Sequence, residues 1–266
     1  MNYGRTSLRR RAKQLDARGT RIRHKIGVIL SKLLLIGIIV GGCAAVSFGV
    51  GAFKGILASA PDISEVDVIP TGYSTKVLAA DGSETAKLVA AGSNRQYVTI
   101  DQIPEDLQHA VVAIEDERFY DHNGIDLKGI VRALVADVRT RDFSQGASTL
   151  TQQLIKNNVL NEQWANENDS NISKIEKMER QVQRKIQEQY LAIELEKKVN
   201  DKNWILENYL NSINLGSNTL GVQAASQRYF GKDVSKLTLS ECAVIAGITK
   251  NPAGYNPILH PKENAK

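Results

Sequence analysis

The sequence predicts a mainly α-helical domain with a short β element on its N-terminal side and one transmembrane helix before it. Two observations predict this class. From Pro104 almost to the end of the chain, apolar residues recur at helical spacing between glycine and proline breaks. Near the start, an uncharged apolar run at residues 33–53 follows a strongly basic arm.

The basic arm and the apolar run together predict a membrane anchor. Residues 1–32 carry ten lysines and arginines against one aspartate, a net charge of +9, so the rest of the chain carries −4 of the overall +5. About twenty apolar residues cross a bilayer core as a helix, and a basic flank favours a cytoplasmic N terminus. A cleaved signal peptide is the alternative, but the basic region and the apolar run are both too long for one.

Composition changes along the chain predict its domain organisation. We predict a cytoplasmic tail (1–32), a transmembrane helix (33–53), a linker (54–66), one catalytic domain (67–260) and the start of a further linker (261–266). A basic block beside a membrane span is better explained by topology and anionic lipids than by nucleic acid.

The folded part is predicted to begin with a hairpin and to continue as helices. Ser74–Ala80 and Ser83–Ala90 read as strands around Asp81–Gly82, a dipeptide that tolerates the positive φ angles of tight turns. Residues 162–173 are polar and are predicted to form a loop. The predicted helices are 106–119, an apolar stripe at 127–138, then 148–157, 175–198, 202–213, 221–229 and 240–249.

Several chemistries find no support in the sequence. Cys43 lies in the predicted span and Cys242 in a small apolar helix, so they cannot pair. His109, His122 and His260 have no metal-ligand spacing with cysteines. The 266 residues contain no Gly-x-Ser-x-Gly, Walker, Ser-x-x-Lys or Lys-Thr-Gly motif, so they carry no acyl-serine penicillin-binding site.

A first candidate segment is the acidic run that begins at Glu115. The four charged residues at 115–118 alone would usually form a solvated helix face. The apolar residues 111–114 directly before them predict instead that Glu115 emerges from a buried segment. A carboxylate in that position suits a general base. If the helix continues to His122, then Glu115, Phe119 and His122 share one side of it.

A second candidate segment is the polar helix predicted at residues 148–157. One face of it would carry Thr149, Gln153, Lys156 and Asn157, with Ser148 capping the start. A helix N terminus beside a lysine is a natural seat for phosphate. The alternative is an ordinary capped amphipathic helix whose leucines lie in the core.

A third candidate segment contains Arg184 and Glu188, four residues apart on a long charged helix. Alone this spacing indicates a surface ion pair worth about 0.3–0.5 kcal/mol. With the other two segments it supplies two carboxylates, cations and amides, which a glycosyl transfer with an anionic leaving group needs. We therefore expect Glu115 and Glu188 to face a shared groove that opens toward the bilayer, with positive groups between them.

The three segments, in this order, resemble the peptidoglycan glycosyltransferase family (glycosyltransferase family 51). This family forms the N-terminal module of class A penicillin-binding proteins and the monofunctional transglycosylases. The runs 202–211, 239–247 and 250–257 agree, so the resemblance covers roughly residues 70–260. It implies a lysozyme-like helical lobe and a small membrane-proximal jaw lobe, in which the stripe 127–138 would contact lipid.

The resemblance implies polymerisation of lipid II into β-1,4-linked glycan strands, with inversion and release of undecaprenyl pyrophosphate. Glu115 matches the family's catalytic base and Glu188 its second essential glutamate. The substrate-binding positions implied are Asp116, Phe119, His122, Ser148, Thr149, Gln153, Lys156, Asn157 and Arg184.

The resemblance also implies partners and location. The implied reaction requires no cofactor, although a divalent cation (Mg²⁺ or Mn²⁺) could help to stabilise the negative charge on the departing pyrophosphate. The partners would be lipid II, the growing glycan strand, membrane lipids, and cell-wall synthesis and division proteins, with no nucleic acid. The protein would be single-pass in a bacterial cell membrane, with its catalytic domain outside the cytoplasm.

Three alternatives stay open. Residues 261–266 are expected to lead toward a transpeptidase domain. If no such domain follows them, the protein would be monofunctional. A membrane-anchored, lysozyme-like glycan hydrolase is the first rival function; Lys156 and Arg184 argue against it because hydrolysis needs no pyrophosphate site. An inactive cell-wall scaffold is the second rival.

Overall fold

A computed structural model describes residues 4–15, 18–64, 68–89, 94–140, 146–161, 164 and 172–265. Most of the predicted loop at 162–173 therefore lies outside the described residues. Contacts divide the chain into two compact units, the first ending at Ala58 and the second beginning at Ser59.

The first unit consists of helix α1 (Arg5–Leu15) and helix α2 (Arg18–Ala58). The segment Ile22–Ala58 is long and apolar enough to cross a membrane. Its mean hydropathy is 2.4, and its most apolar stretch is not buried against the rest of the protein. The predicted apolar helix is confirmed. It extends beyond 33–53 on both sides, so the predicted linker 54–66 begins inside α2.

The second unit begins with the predicted hairpin. Strands β1 (Thr75–Leu78) and β2 (Glu84–Leu88) pair in antiparallel register, with Thr75 opposite Leu88. Gly82 in the turn has a φ angle of +83°, which a side chain would make costly. Both strands are shorter than the predicted segments.

The rest of the second unit is helical over most of its described residues, which confirms the mainly α class. The two-lobed division that the resemblance implies stays a prediction. The helices are α3 (Glu105–Glu115), α4 (Leu127–Thr140), α5 (Leu150–Ile155), α6 (Lys174–Val199), α7 (Lys202–Ser212), α8 (Val222–Phe230), α9 (Leu239–Thr249) and α10 (Pro261–Asn264), with 3-10 turns at Ile100–Gln102 and Val234–Lys236 and a π-helical turn at Lys156–Leu160.

The core lies where α3 packs against α9 and where α5 packs against both α6 and α7. Helix α5 has only six residues, a length that is not stable alone in water. Burial holds it in place, because Leu150, Leu154 and Ile155 are fully inaccessible to solvent. Packing on these three side chains leaves the other side of α5 to carry polar groups.

Helix α3 ends earlier than predicted, so the prediction that Glu115, Phe119 and His122 share one helix face is wrong. The helix stops at Glu115, and Asp116 has the non-helical angles φ −159° and ψ 71°. The Asp116 carboxylate accepts hydrogen bonds from the Leu150 backbone N–H at 3.0 Å and from His122. The bond from Leu150, which lies 34 residues further along the chain, is a tertiary contact that overrides the local helical preference.

The apolar stripe on α4 lies on the surface. The side chains of Leu127, Val131, Leu134 and Val135 are each more than half exposed, whereas Ala133 faces inward. The side chain of Val138, predicted in the same stripe, lies outside the described residues. An exposed apolar row of this kind is typical of an interaction surface, and contact with lipid stays a prediction.

Candidate active site

A cavity of about 780 Å³ lies in the second unit, where the end of α3 meets α5, the π-helical turn, α6 and the end of α9. Both predicted catalytic residues, Glu115 and Glu188, line this one cavity. Its opening toward the bilayer stays a prediction. Its lining consists of Ile114, Glu115, Gly146, Ser148, Gln152, Gln153, Lys156, Asn157, Arg184, Lys185, Glu188, Thr249 and Lys250.

Glu115 is the last residue of α3, and its carboxylate is half-buried in the cavity wall. Gln153 on α5 donates from Nε2 to Glu115 Oε2 at 2.7 Å. The buried Tyr209 hydroxyl on α7 donates to Gln153 Oε1 at 3.2 Å. A hydrogen bond to a carboxylate is short and strong, so this contact fixes the direction in which Glu115 points.

Tyr209 is suited to act as a permanent donor. Burial raises the pKa of its phenol well above the usual value, and the nearby carboxylates of Glu115 and Asp116 raise it further. The phenol therefore stays protonated at physiological pH. Sequence reasoning missed this residue, because nothing in the local pattern of α7 distinguishes Tyr209 from a core aromatic residue.

Glu188 lies on α6 with only 3% of its side chain exposed. The Arg184 guanidinium, one helical turn earlier, forms an ion pair with Oε1, and Lys185 Nζ lies 3.2 Å from Oε2. A carboxylate this deeply buried needs such partners. The pair is therefore part of the cavity wall, and the alternative of a solvated surface ion pair is wrong.

Lys185 is a site residue that sequence reasoning missed. Its ammonium group donates to Ser148 Oγ at 2.6 Å and to Gln152 Oε1 at 2.9 Å, besides its contact with Glu188. It thus ties α6 to the start of α5. A signal existed, because Lys185 precedes Glu188 by three residues and such residues are neighbours on a helix.

Lys156 and Lys250 add positive charge to the cavity. Neither forms an ion pair with any residue in the described parts of the chain. Lys156 opens the π-helical turn, a rare conformation that is frequent at functional sites. With Arg184 and Lys185, four cations face two carboxylates, which leaves the cavity lining with a net charge of +2. Such a lining suits an anionic ligand.

Asp116, Phe119, His122 and Thr149 lie behind this cavity rather than in its lining. Phe119 is completely buried, so a ligand in the cavity does not reach it. Asp116 is 7% exposed and Thr149 1% exposed, and both border an adjoining pocket of about 110 Å³. Phe119 is therefore placed to support the site and not to contact a substrate in this cavity.

Thr149, and not Ser148, caps α5, so the predicted cap is wrong. Thr149 Oγ1 accepts from the Gln152 backbone N–H at 3.2 Å and donates to the Gly124 carbonyl at 2.8 Å. Because Asp116 takes the Leu150 N–H, protein groups already occupy this helix end. The predicted phosphate seat on the backbone is wrong for that reason, and cationic side chains remain as the anion-binding groups.

Lys202 anchors the loop that carries Phe119 and His122. Its Nζ donates to the His122 carbonyl at 2.6 Å and lies 4.5 Å above the Phe119 ring. The same ammonium is 2.6 Å from Glu196 Oε2, and Glu196 Oε1 accepts from Thr151 at 2.6 Å. These contacts hold the loop to α5, α6 and α7.

A metal site is not evident in the described part of the chain. Among those residues, no group of three or more histidine, cysteine, aspartate or glutamate side chains is placed to hold an ion. The two cavity carboxylates already accept hydrogen bonds from Gln153, Arg184 and Lys185. Participation of a divalent cation stays a prediction.

Comparison with known proteins gives a consistent result. The family model for transglycosylases matches residues 81–266. Penicillin-binding protein 1A of Clostridium botulinum (strain Langeland) is 39% identical over 234 residues, which cover 86% of this chain and 26% of that protein. Penicillin-binding protein 1A of Escherichia coli (strain K12) is 41% identical over 209 residues, which cover 78% of this chain and 22% of that protein.

A solved structure gives a weaker match. The crystal structure of penicillin-binding protein 1A from Haemophilus influenzae aligns with 74% of this chain and 17% of its own, at 23% identity and a TM-score of 0.34. That score supports no comparison of site geometry. The chain spans 26% or less of the length of the two relatives named above.

Proposed function

The chain belongs to the transglycosylase family, and from that premise we propose that it is a peptidoglycan glycosyltransferase. It would polymerise lipid II into β-1,4-linked glycan strands and release undecaprenyl pyrophosphate. One observation carries the proposal: Glu115, held by an amide, shares a cavity with Glu188, which is surrounded by cations. The half-buried, hydrogen-bonded Glu115 suits a general base, and the cations around Glu188 suit the stabilisation of a departing anion.

Glu115 is proposed to activate the acceptor. Its carboxylate would take the proton from the 4-hydroxyl of the N-acetylglucosamine of lipid II as that oxygen attacks the anomeric carbon of the donor glycan. Attack from the face opposite the pyrophosphate inverts the anomeric centre and forms the β bond. Gln153, through its hydrogen bond to Oε2, would keep the Glu115 carboxylate turned toward the cavity.

The cations are proposed to act on the leaving group. Lys156, Arg184 and Lys185 would stabilise the negative charge that grows on the pyrophosphate as the glycosidic bond breaks, which is often the largest single contribution to catalysis. Glu188 would orient Arg184 and Lys185 rather than react itself. A bound Mg²⁺ or Mn²⁺ would supply further neutralisation, and polymerisation in EDTA would show whether one is needed.

The remaining site positions are proposed to support these groups. Asp116 and Thr149 would hold the start of α5, and His122 would hold Asp116. In the cell, α2 would anchor the protein with its basic arm in the cytoplasm, and the α4 stripe would contact lipid. Cell-wall synthesis and division proteins stay predicted partners.

Incubation of the full chain in detergent with labelled lipid II tests the proposal. We expect the wild type to form polymer, Glu115→Gln to abolish it, and Glu188→Gln to reduce it strongly. Glu117→Gln is the matched control, because Glu117 is largely exposed and does not line the main cavity; it should remain active. Normal polymerisation by Glu115→Gln would show that another group is the base.

The same assay separates the rival functions. Shortening of preformed glycan by the wild type would indicate a hydrolase, and no reaction on either substrate would indicate a scaffold. Lys156→Ala should weaken competition by undecaprenyl pyrophosphate by about tenfold, the effect of losing roughly 1.4 kcal/mol from one charged contact. An unchanged affinity would remove Lys156 from the leaving-group site.

A further inference from the structure

We propose that Tyr209 is a positioning residue that fixes the side-chain amide of Gln153 and, through it, the carboxylate of Glu115. This inference rests on the proposed function, because it assigns a role at the same site. The three groups form one line of contacts: the Tyr209 hydroxyl to Gln153 Oε1 at 3.2 Å, and Gln153 Nε2 to Glu115 Oε2 at 2.7 Å.

The amide of Gln153 has two ends with opposite hydrogen-bonding character. Its NH₂ group only donates and its oxygen only accepts, so a half-turn of the amide exchanges them. In the flipped state the oxygen would face the Glu115 carboxylate, and two acceptors would then meet. The carboxylate therefore selects the orientation in which Glu115 receives a hydrogen bond, and a donor fixed at the oxygen end holds the amide in that place.

Tyr209 is built to be that fixed donor. Its side chain is 1% exposed within the α5–α7 contact, so its ring cannot turn away into solvent. The phenol is kept protonated by burial and by the carboxylates of Glu115 and Asp116, which raise its pKa. A core residue with only a packing role would need no hydroxyl at this point.

The consequence for Glu115 concerns the placement of its carboxylate. Without the Tyr209 hydroxyl, the Gln153 oxygen loses its donor, and the amide that contacts Glu115 is held less firmly. The Tyr209→Phe variant should therefore slow the chemical step without weakening the binding of lipid II. The charged groups of the cavity are the same in both proteins: Glu115, Lys156, Arg184, Lys185, Glu188 and Lys250.

The experiment compares wild type and Tyr209→Phe as full chains in detergent. We expect kcat for lipid II polymerisation to fall about tenfold while KM for lipid II stays unchanged, because misplacement of a reacting group slows the chemical step without weakening substrate binding. An unchanged kcat, or a rise in KM with kcat unchanged, would overturn the proposal.

Two further variants make the result specific. Tyr229→Phe is the matched control, because the Tyr229 hydroxyl bonds to the Leu215 carbonyl away from the cavity; its kcat should not change. In a Gln153→Leu background, Tyr209→Phe should cause no additional fall in kcat, because the two residues act in series. An additional fall there would show that Tyr209 acts by another route.

A separate readout distinguishes failure of this inference from failure of the proposed function. The infrared difference spectrum between each protein and its Glu115→Gln derivative reports the hydrogen bonding of the Glu115 carboxylate without turnover. A changed carboxylate band in Tyr209→Phe with no lipid II polymerisation by the wild type would retain the positioning role and reject the reaction. Polymerisation with an unchanged carboxylate band would reject the positioning role alone.

Discussion

Replacement of Gly124 by alanine tests how the loop after α3 holds the active-site helix. Gly124 has a φ angle of +86°, and its carbonyl accepts from Thr149 at 2.8 Å and from Gln152 at 3.2 Å. A Cβ placed on Gly124 would lie 2.7 Å from the backbone carbonyl of Ala192. Backbone on both sides therefore has to move to accommodate it.

Two costs add at this position. A left-handed backbone angle costs a non-glycine residue about 1–2 kcal/mol, and forcing an extra carbon into a packed site costs about 1–3 kcal/mol. We expect Gly124→Ala to lower the free energy of unfolding by about 3 kcal/mol. For a domain of this size that corresponds to a fall of about 6–12 °C in the thermal midpoint.

Two other glycines separate these costs. Gly231 has a φ angle of +66° but open space around its Cβ position, so Gly231→Ala should cost only about 1–2 kcal/mol. Gly247 lies within α9 with open space and no positive φ, so Gly247→Ala should stabilise the protein by about 0.5–1 kcal/mol. Thermal unfolding of the full chains in detergent, followed by circular dichroism, measures all three.

Lipid II polymerisation adds a functional readout. Because the Gly124 carbonyl holds the cap of α5, Gly124→Ala should lose polymerisation even at a temperature where it remains folded. Equal midpoints for Gly124→Ala and Gly231→Ala would refute the close approach to Ala192. Full activity in folded Gly124→Ala would refute the link between this loop and α5.

Two other predictions concern charged groups outside the cavity. Lys202→Met should lower the free energy of unfolding by about 3 kcal/mol, because it leaves the buried Glu196 carboxylate without its cation. Adding Glu196→Gln should recover part of this loss in thermal unfolding. Equal thermal midpoints for the single and double variants would contradict this explanation. A hydrogen bond from Lys232, with further bonds from Thr238, holds the pKa of Glu241 at about 2 rather than 4.5. A lowered folded-state pKa stabilises the fold above about pH 4.5, and this contribution is lost as the pH falls toward 2. Glu241→Gln should therefore lower the midpoint at pH 7 and have a much smaller effect at pH 2, and an equal effect at both would reject the ionic contribution.

The elements that the sequence predicted well are those with strong local signals. Helix α6 has a long periodic pattern, a serine cap at Ser173 and lysines in its last turn, and its observed bounds differ from the prediction by one residue at each end. The hairpin has an Asp81–Gly82 turn that fits only a few backbone conformations. In such segments local preference and tertiary structure agree, so a single sequence suffices.

The elements that the sequence predicted poorly depend on distant contacts. The end of α3 is set by hydrogen bonds that Asp116 accepts from His122 and from Leu150, which lies 34 residues further along the chain. Tyr209 took no part in the predicted site because its partner Gln153 is 56 positions away. Lys185 had a local signal in its spacing from Glu188, but its bond to Gln152 joins residues 33 positions apart. Charge and spacing identified the carboxylates, whereas the groups that orient them became visible only in three dimensions.

Helix α5 is the element that connects the two halves of the proposed reaction. On one side, Gln153 contacts the proposed base Glu115. On the other, Gln152 contacts Lys185, which also holds Glu188. One turn of helix thus sets the separation between the proton acceptor and the cations of the leaving-group site. A helix of six residues cannot hold that separation by its own stability. The buried bonds of Asp116 and Thr149 supply the rigidity, so residues that do not line the cavity still fix its geometry.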